Sequence, residues 1–345
     1  MERVELNLHT NMSKMKGFIE IKELAYKGAY KIYGKSLTKE IQERLDRELK
    51  SIIEYNYATL YLIAQKLVQK SNDDGYIVGN RGAIASSLVA YCLGITEIDP
   101  IKRNIPFETF AGLNGEKEPD IALCVPYNYK QQLEECVEDK YLDRITFRIC
   151  ESNIPVILYR LKELTGIDPT SILLDDKETL KMICSGETSG IPEFDKARNI
   201  ILETHPTSFD DLVKISGLSY GTNAWKNNTQ ELIKNGTTTL EGVIASRDDI
   251  MIYLIRKGLT REQAFKIMEI VRKGKTLKHK EKWEEYKEIM KQHNVPNWYI
   301  KSCEKIAYLF PKAHVVGSVI NSFRIVWYKV HYKNEFNQVI KEFEE

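Results

Sequence analysis

Apolar residues recur at steps of three and four near the start of the chain. This spacing predicts one long helix over residues 38–69, preceded by another over residues 21–33. Residues 4–9 instead alternate apolar and polar side chains, which is the pattern of a short half-buried strand. The helical spacing is carried by Ile41, Leu45, Leu49, Ile52 and Ile53.

The pattern changes between residues 75 and 93. Residues 76–78 (Tyr-Ile-Val) predict a strand, residues 79–82 (Gly-Asn-Arg-Gly) a turn, and residues 83–93 a helix. A glycine turn before a helix presents backbone amides at the positive end of the helix dipole, which suits a phosphate. An ordinary strand-to-helix connection is the alternative interpretation.

Two further apolar runs predict strands, at residues 120–125 and 144–150, after a long loop over residues 95–119. From residue 155 onward the pattern is helical almost to the end. Thr260 begins a capping box with Gln263 at its fourth position, and Ser246 is placed to cap another helix. We therefore predict an α/β part followed by a mainly α part, with the boundary near residue 169.

Composition supports a globular chain of two domains. The 345 residues are 43% hydrophobic, and 50 Lys and Arg oppose 49 Asp and Glu, so any affinity for nucleic acid must come from local clusters. The six cysteines include no CxxC pair, which excludes a zinc finger. Neither a signal peptide nor a membrane span is predicted, so we expect a cytoplasmic protein with no membrane partner.

Residues 272–282 hold six Lys or Arg and one Glu just beyond a predicted helix end. Such clustered cations can bind a triphosphate or a phosphate backbone, and a solvated loop is the alternative. The acidic pairs Asp175–Asp176 and Asp248–Asp249 precede or begin helices, where carboxylates favour the dipole, so we do not expect them to bind metal.

Several stretches, in order, resemble the PolC-type DNA polymerase III alpha subunit, the replicative polymerase of low-GC Gram-positive bacteria. Two of them resemble the family's palm, and the others its fingers. The palm stretches are Asp73–Gly82 and Ile105–Phe110 with Pro119–Ile121; the fingers stretches are Ile191–Phe194, Ile215–Leu218, Gln230–Thr237, Arg247–Met251, Ala264–Glu269 and Phe310–His314. Residues 4–10 resemble the first strand of the family's PHP domain.

The resemblance implies three domains: a PHP remnant at residues 1–15, a palm-like domain at 16–169 with a remnant polymerase-β-like sheet, and a helical fingers-like domain at 170–345. It also implies that the family's set of three catalytic aspartates is incomplete in this chain. Asp120 remains, but Ala122 and Arg148 stand at the other two places. Phosphoryl transfer in this family depends on two metal ions, so we expect no polymerase activity and no cofactor.

The residues that surround the nucleotide or template are better kept. By resemblance, the candidate contacts for a nucleotide, DNA or inhibitor are Gly79, Arg81, Gly82, Ser86, Arg247, Arg272, Lys273, Lys275, Lys312 and His314.

We therefore expect a catalytically inactive relative of PolC that binds DNA, a nucleotide-like ligand or a polymerase inhibitor, or a replisome protein, as a decoy or a regulator of the replicative polymerase. Two alternatives stay open. One is residual DNA polymerase or nucleotidyltransferase activity through Asp120, which would require Mg²⁺. The other is an engineered fragment of the polymerase.

Overall fold

The structure, a computed structural model, describes residues 11–77, 82–125, 127–135, 145–149 and 154–344. The chain divides into two compact units, residues 1–159 and 160–345. The boundary expected near residue 169 lies inside the second unit. The strand expected at residues 4–9 falls outside the described residues. Among the described helices, none has both the length and the apolarity needed to cross a membrane.

Unit 1 consists mainly of helices around one apolar core. The first helix is longer than predicted, because it begins at Asn11, and its buried face packs with those of the next two helices. The helices are α1 (Asn11–Tyr33), α2 (Lys39–Glu54), α3 (Ala58–Asp73), a 3₁₀ turn (Ala83–Ser86), α4 (Leu88–Cys92), α5 (Glu108–Ala111) and α6 (Tyr127–Glu134).

The long helix expected over residues 38–69 is two helices, α2 and α3. Asn56 adopts the left-handed conformation, with φ of 59°, and the amide of Tyr57 turns back to the carbonyl of Ile52 at 2.8 Å. Asparagine tolerates this conformation better than other non-glycine residues. The apolar spacing continues through the break, so the pattern of hydrophobic residues did not reveal it.

A buried ion pair interrupts the helix expected over residues 83–93. The carboxylate of Glu48 accepts hydrogen bonds from the Ser87 hydroxyl at 2.7 Å and from the Val89 amide at 3.2 Å, and it pairs with Arg44. Ser87 in turn caps α4 by accepting from the Ala90 amide at 3.2 Å. Residues 83–86 therefore form a 3₁₀ turn, and α4 begins only after Ser87.

The described sheet is one parallel pair, β1 (Ile121–Val125) and β2 (Ile145–Ile149), in register from Ile121 opposite Ile145 to Val125 opposite Ile149. Both strands lie where the sequence predicted them. Beyond this pair of strands, the described residues do not show the remnant polymerase-β-like sheet expected in residues 16–169.

Tyr76 and Ile77 do not form the expected strand. The backbone of Tyr76 is instead tied to the end of α3, because its amide donates to the Ser71 carbonyl at 2.8 Å and its carbonyl accepts from the Ser71 hydroxyl at 3.0 Å. Its ring packs between those of Tyr129 and Tyr159, with both centroid distances at 5.0 Å. Val78 lies outside the described residues.

Unit 2 is helical, as predicted. A long buried helix, α16, packs against four others and against the last helix of the chain. The helices are α7 (Ile154–Thr165, which begins in unit 1), α8 (Lys177–Cys184), α9 (Pro192–Thr204), α10 (Phe209–Tyr220), α11 (Gln230–Lys234), α12 (Arg247–Arg256), α13 (Arg261–Val271), α14 (Lys280–Gln292), α15 (Asn297–Lys305), α16 (Lys312–His331) and α17 (Lys333–Glu344).

Both helix starts singled out in the sequence are confirmed. Thr260 accepts from the Gln263 amide at 3.2 Å, and the Gln263 side chain accepts from the Thr260 amide at 3.0 Å, which completes a capping box. Ser246 makes the same exchange with Asp249 at the start of α12. These reciprocal bonds satisfy amides that the first turn of a helix leaves unpaired.

Thr260→Ala should lower the free energy of unfolding of unit 2 by about 1 kcal/mol, because α13 loses its cap. All four tryptophans lie in this unit, so urea unfolding followed by tryptophan fluorescence reports on it. Thr239→Ala is the matched control, since the Thr239 side chain makes no cap hydrogen bond. Equal midpoints for the two variants would contradict a stabilising role for the cap.

Candidate nucleotide or nucleic-acid site

The glycine turn of unit 1 lies over strand β1. Gly82 has φ of 135°, and a Cβ placed on it would lie 3.5 Å from the Cβ of Ala122. Ser86 is fully buried in the 3₁₀ turn, and its carbonyl accepts from the Arg44 guanidinium at 2.7 Å. Ser86 thus supports the turn and has no exposed surface for a ligand. Gly79 and Arg81 lie outside the described residues.

The three positions predicted to correspond to catalytic aspartates lie on or beside the strand pair. Asp120 directly precedes β1 and is exposed, and Ala122 is 4% exposed and opposite Thr146. Arg148 is opposite Cys124, two places further along the pair. Within the described part of the chain, no group of three or more His, Cys, Asp or Glu side chains could hold a metal ion.

In unit 2, the start of α12 and the start of α16 are joined by hydrogen bonds. The carboxylate of Asp248, which is fully buried, accepts from the backbone amide of Lys312 at 2.7 Å. The amide of Arg247 donates to the carbonyl of Phe310 at 3.2 Å. Together these bonds place Arg247, Lys312 and His314 in one region of the unit, as their predicted common role requires.

Asp249 holds the first turn of α12 in place. Its carboxylate accepts from the amides of Ala245 at 3.0 Å and Ser246 at 2.8 Å, and it pairs with Lys214 at 2.9 Å. The acidic pair at residues 248–249 is thus engaged at a helix start, and no metal role is needed to explain it.

Aromatic rings cover the segment that leads into α16. The Phe310 ring stacks on the His314 imidazole at 5.7 Å between centroids, and it packs against Tyr308 at 5.0 Å and Tyr220 at 5.5 Å. The ammonium of Lys196 lies 4.1 Å from the centre of the Tyr220 ring. Aromatic faces beside cations are the usual means of stacking bases and holding phosphates.

Buried Glu193 fixes the orientation of Tyr220. Its carboxylate accepts from the Tyr220 hydroxyl at 2.7 Å and from the Ser216 hydroxyl. The sequence pattern did not indicate Lys196, Tyr220 and Tyr308, because they come from three separate segments. The only local signal was aromatic residues at positions 308 and 310, directly before the Phe310–His314 stretch.

The end of α13 adds further positive charge. Glu269 accepts from the Arg272 guanidinium at 2.8 Å and lies 3.2 Å from the Lys273 ammonium. Burial would raise the pKa of Glu269, but these two cations outweigh it and lower the pKa. Glu269 is thus an anion that holds two cations in place. Lys275 lies just beyond them, and its amide donates to the Ile270 carbonyl at 3.0 Å.

Arg247 and Arg272 repel each other. Arg247 is 6% exposed, and its pKa is lowered first by burial and then by the charge of Arg272, while Asp248 and Glu269 oppose the shift. Asp248 and Glu269 thus offset part of this repulsion. The cations and the aromatic rings together form a candidate site for an anionic group with an aromatic face.

We call the side chains of this region the cation–aromatic cluster. It contains five of the residues predicted from the sequence and three that the structure adds. They are Arg247, Arg272, Lys273, Lys312 and His314, with Tyr220, Tyr308 and Phe310.

Comparison with known proteins identifies the family. Residues 19–154 match the bacterial DNA polymerase III alpha NTPase domain, and residues 154–294 match the finger domain of the bacterial DNA polymerase III alpha subunit. The chain belongs to the family of bacterial DNA polymerase III alpha subunits. The cation–aromatic cluster lies partly in the matched finger domain and partly beyond residue 294.

Within this family the chain is similar to the PolC type. Its alignment with the DNA polymerase III PolC-type of Caldanaerobacter subterraneus subsp. tengcongensis is 33% identical over 471 residues, gaps included. That alignment covers 92% of this chain and 33% of that protein. The PolC-type enzymes of Thermotoga maritima and Bacillus subtilis are also 33% identical to the chain. The first alignment covers 92% of the chain and 34% of the relative. The second covers 91% of the chain and 32% of the relative.

The chain therefore spans about a third of the length of the curated relatives it matches. The similarity to the first relative runs over 471 positions although the chain has 345 residues, so that relative carries insertions that this chain lacks. The predicted resemblance to PolC is confirmed, and so is the presence of a finger domain.

Asp249→Asn should lower the free energy of unfolding of unit 2 by about 1–3 kcal/mol at neutral pH, because two amides and Lys214 lose a charged acceptor. Burial would raise the pKa of Asp249, but Lys214 and Lys312 outweigh burial and lower it. The charge therefore stabilises fully above the ordinary carboxyl pKa of about 4, and this contribution is lost as the pH falls through the folded-state pKa.

Urea unfolding followed by tryptophan fluorescence, at neutral pH and at about pH 3, checks this expectation. The difference between the native chain and the variant should shrink at the lower pH. Asp175→Asn, at an exposed carboxyl, is the control and should leave both curves unchanged. A difference independent of pH would mean that the charge of Asp249 is not the source of the stability.

Proposed function

We propose that this chain is a PolC-like protein that binds a nucleotide, DNA or a nucleotide-like polymerase inhibitor through the cation–aromatic cluster but does not catalyse polymerisation. The observation that carries the proposal is the strand pair β1–β2. In it, Ala122 and Arg148 stand where the family resemblance places catalytic aspartates, and only Asp120 remains.

The loss of carboxylates argues against two-metal catalysis. Two divalent ions about 3.5–4 Å apart need several shared oxygen ligands, and they supply most of the charge neutralisation in phosphoryl transfer. One exposed carboxylate cannot hold such a pair, and position 148 supplies arginine instead of a carboxylate. On this proposal β1 and β2 are the remnant of a palm sheet that no longer binds the two ions.

Retention of the cluster argues for binding. Arg247 is 6% exposed, and burying a guanidinium is costly unless it is engaged. Asp248 and Glu193 hold the start of α16 and Tyr220 in place beside it. The geometry of the cluster suits an anionic ligand with an aromatic face, which describes a nucleotide. It suits a base-mimicking polymerase inhibitor or the end of a DNA strand as well.

Binding without chemistry favours the role of a decoy or a regulator. A protein that presents a polymerase-like fingers surface would compete with the true polymerase for its inhibitor, its template or a replisome partner. Such a role places it in the cytoplasm beside the replisome, with no cofactor. Residual nucleotidyltransferase activity is the second candidate, because Asp120 is kept at the start of β1 and is exposed to solvent.

A primer-extension assay separates the two candidates. We expect no incorporation above background with either Mg²⁺ or Mn²⁺, because two of the three carboxylates are replaced. The PolC-type polymerase of Bacillus subtilis, assayed in parallel, is the positive control. Incorporation by the native chain that Asp120→Ala abolishes would establish the nucleotidyltransferase and overturn the inactive reading.

Replacing Arg272, Lys273 and Lys275 together with alanine should weaken binding of nucleotide or DNA by at least about tenfold, because three cations near the ligand are lost. Fluorescence anisotropy with labelled primed DNA and a thermal-shift titration with nucleotides measure the effect. The matched control replaces three exposed lysines elsewhere in unit 2, Lys177, Lys181 and Lys301. An equal loss in both variants would mean that only net charge matters.

The salt dependence of binding identifies the ligand class. For DNA, log K should fall linearly with log salt, and the slope should become shallower by about one for each phosphate contact removed in the triple variant. A neutral aromatic inhibitor should bind almost independently of salt. Unchanged affinity of the triple variant for every ligand would exclude these three residues from the site.

A further inference from the structure

One leucine projects from the basic segment that follows α13. Leu277 is 84% exposed, the largest value among the large hydrophobic side chains of the described residues. An exposed leucine is not unusual by itself. Its surroundings are unusual, because every charged side chain from Arg272 to Lys280 is a cation and the first carboxylate after them is Glu281.

The segment holds Leu277 outward on a fixed backbone. Gly274 has φ of 59°, and a Cβ at this position would lie 2.6 Å from the Ala307 carbonyl oxygen, so the chain passes directly against the next segment. Thr276 is 2% exposed, and the amides of Lys278 and His279 both donate to the Lys275 carbonyl. Leu277 therefore sits on an anchored turn.

The cations beside Leu277 are available to an external partner. Lys275, Lys278 and Lys280 make no ion pair with any residue that the structure describes. A ligand that contacts this tip must therefore be negatively charged around its edge and apolar where the leucine meets it. Stacked nucleic-acid bases between phosphate backbones have this character.

A membrane surface fits these observations less well. Anionic headgroups would attract the lysines, but stable attachment needs an extended apolar face or two anchoring groups. The tip offers a single leucine, and the residues on either side of it are Thr276, which is buried, and Lys278. The family to which the chain belongs also acts on DNA, as the name of its members states.

We propose that Leu277 is a wedge that packs against the open face of the last base pair at a junction between double- and single-stranded DNA, while the flanking lysines contact the backbone phosphates. The proposal rests on the DNA-binding form of the proposed function. Inside a duplex, both faces of each base pair are already stacked, and insertion would require unstacking them. At a junction one face is free.

The test compares Leu277→Ala with the native chain on three DNAs that share one sequence: a duplex with a single-stranded 5′ overhang, the duplex closed at both ends by hairpin loops so that no terminal base pair is open, and the single strand. Leu277→Ala should bind the junction about five- to tenfold more weakly, as expected for a leucine that the base pair covers on one side only, and the other two DNAs unchanged. Leu277→Phe should retain or improve junction binding. Leu173→Ala, at a leucine 73% exposed, is the matched control.

A second measurement reports on the contact itself. The fluorescence of 2-aminopurine in the last base pair depends on its stacking, so the native chain should change this signal. With Leu277→Ala, the 2-aminopurine signal should stay at its value in free DNA, even at a protein concentration that saturates the DNA. Because Leu277 is exposed, loss of folding does not complicate the comparison.

The outcomes separate the wedge from the proposed function. If Leu277→Ala binds the junction as tightly as the native chain while the Arg272, Lys273 and Lys275 triple variant is weakened, the wedge is wrong and the DNA-binding proposal stands. If the native chain binds none of the three DNAs, both fail. Leu277-dependent binding to vesicles of anionic phospholipid, with no preference for the junction, would overturn the wedge in favour of a membrane contact.

Discussion

The bond from the Lys312 amide to the buried carboxylate of Asp248 is the constraint on which the second unit's site depends. It fixes the start of α16 against the start of α12, and the Arg247–Phe310 backbone bond closes the same junction. Both helices therefore begin at the same place in unit 2. Cations and rings that lie more than sixty positions apart in the sequence thereby share one region.

The contacts that hold this region are internal to unit 2. They are the capping of α12 by Ser246 and Asp249, the contact of Lys214 with Asp249 and the support of Tyr220 by Glu193. None of these contacts uses strand β1 or β2. The geometry of the cation–aromatic cluster therefore does not depend on which side chains stand at positions 120, 122 and 148.

Local chemistry made much of the helical unit predictable. The capping boxes at Thr260 and Ser246 follow from side chains that bond to amides three residues away, so a four-residue motif is sufficient to predict each of them. The motifs that resemble PolC located the finger domain and most of the cations of the site. Strands β1 and β2 were also foreseen, because their apolar runs are short and lie between turn residues.

The predictions of local structure were wrong where contacts with residues distant in the sequence decide it. The break at Asn56 depends on a left-handed residue within an unbroken apolar pattern, and the break at Ser87 depends on Glu48, which comes from another helix. Tyr76 has the propensity of a strand residue, but two other tyrosines hold it beside the end of α3. Tyr220 and Tyr308 belong to the site only through contacts with other segments, which periodicity does not encode.

The packing of the Gly82 turn over Ala122 limits which side chains position 122 accepts. An aspartate there would enter a nearly solvent-free place beside the turn. An isolated buried charge of this kind costs stability. If Ala122 stands where the family has a catalytic aspartate, as we propose, restoring that residue alone would destabilise unit 1 before it could bind a metal ion.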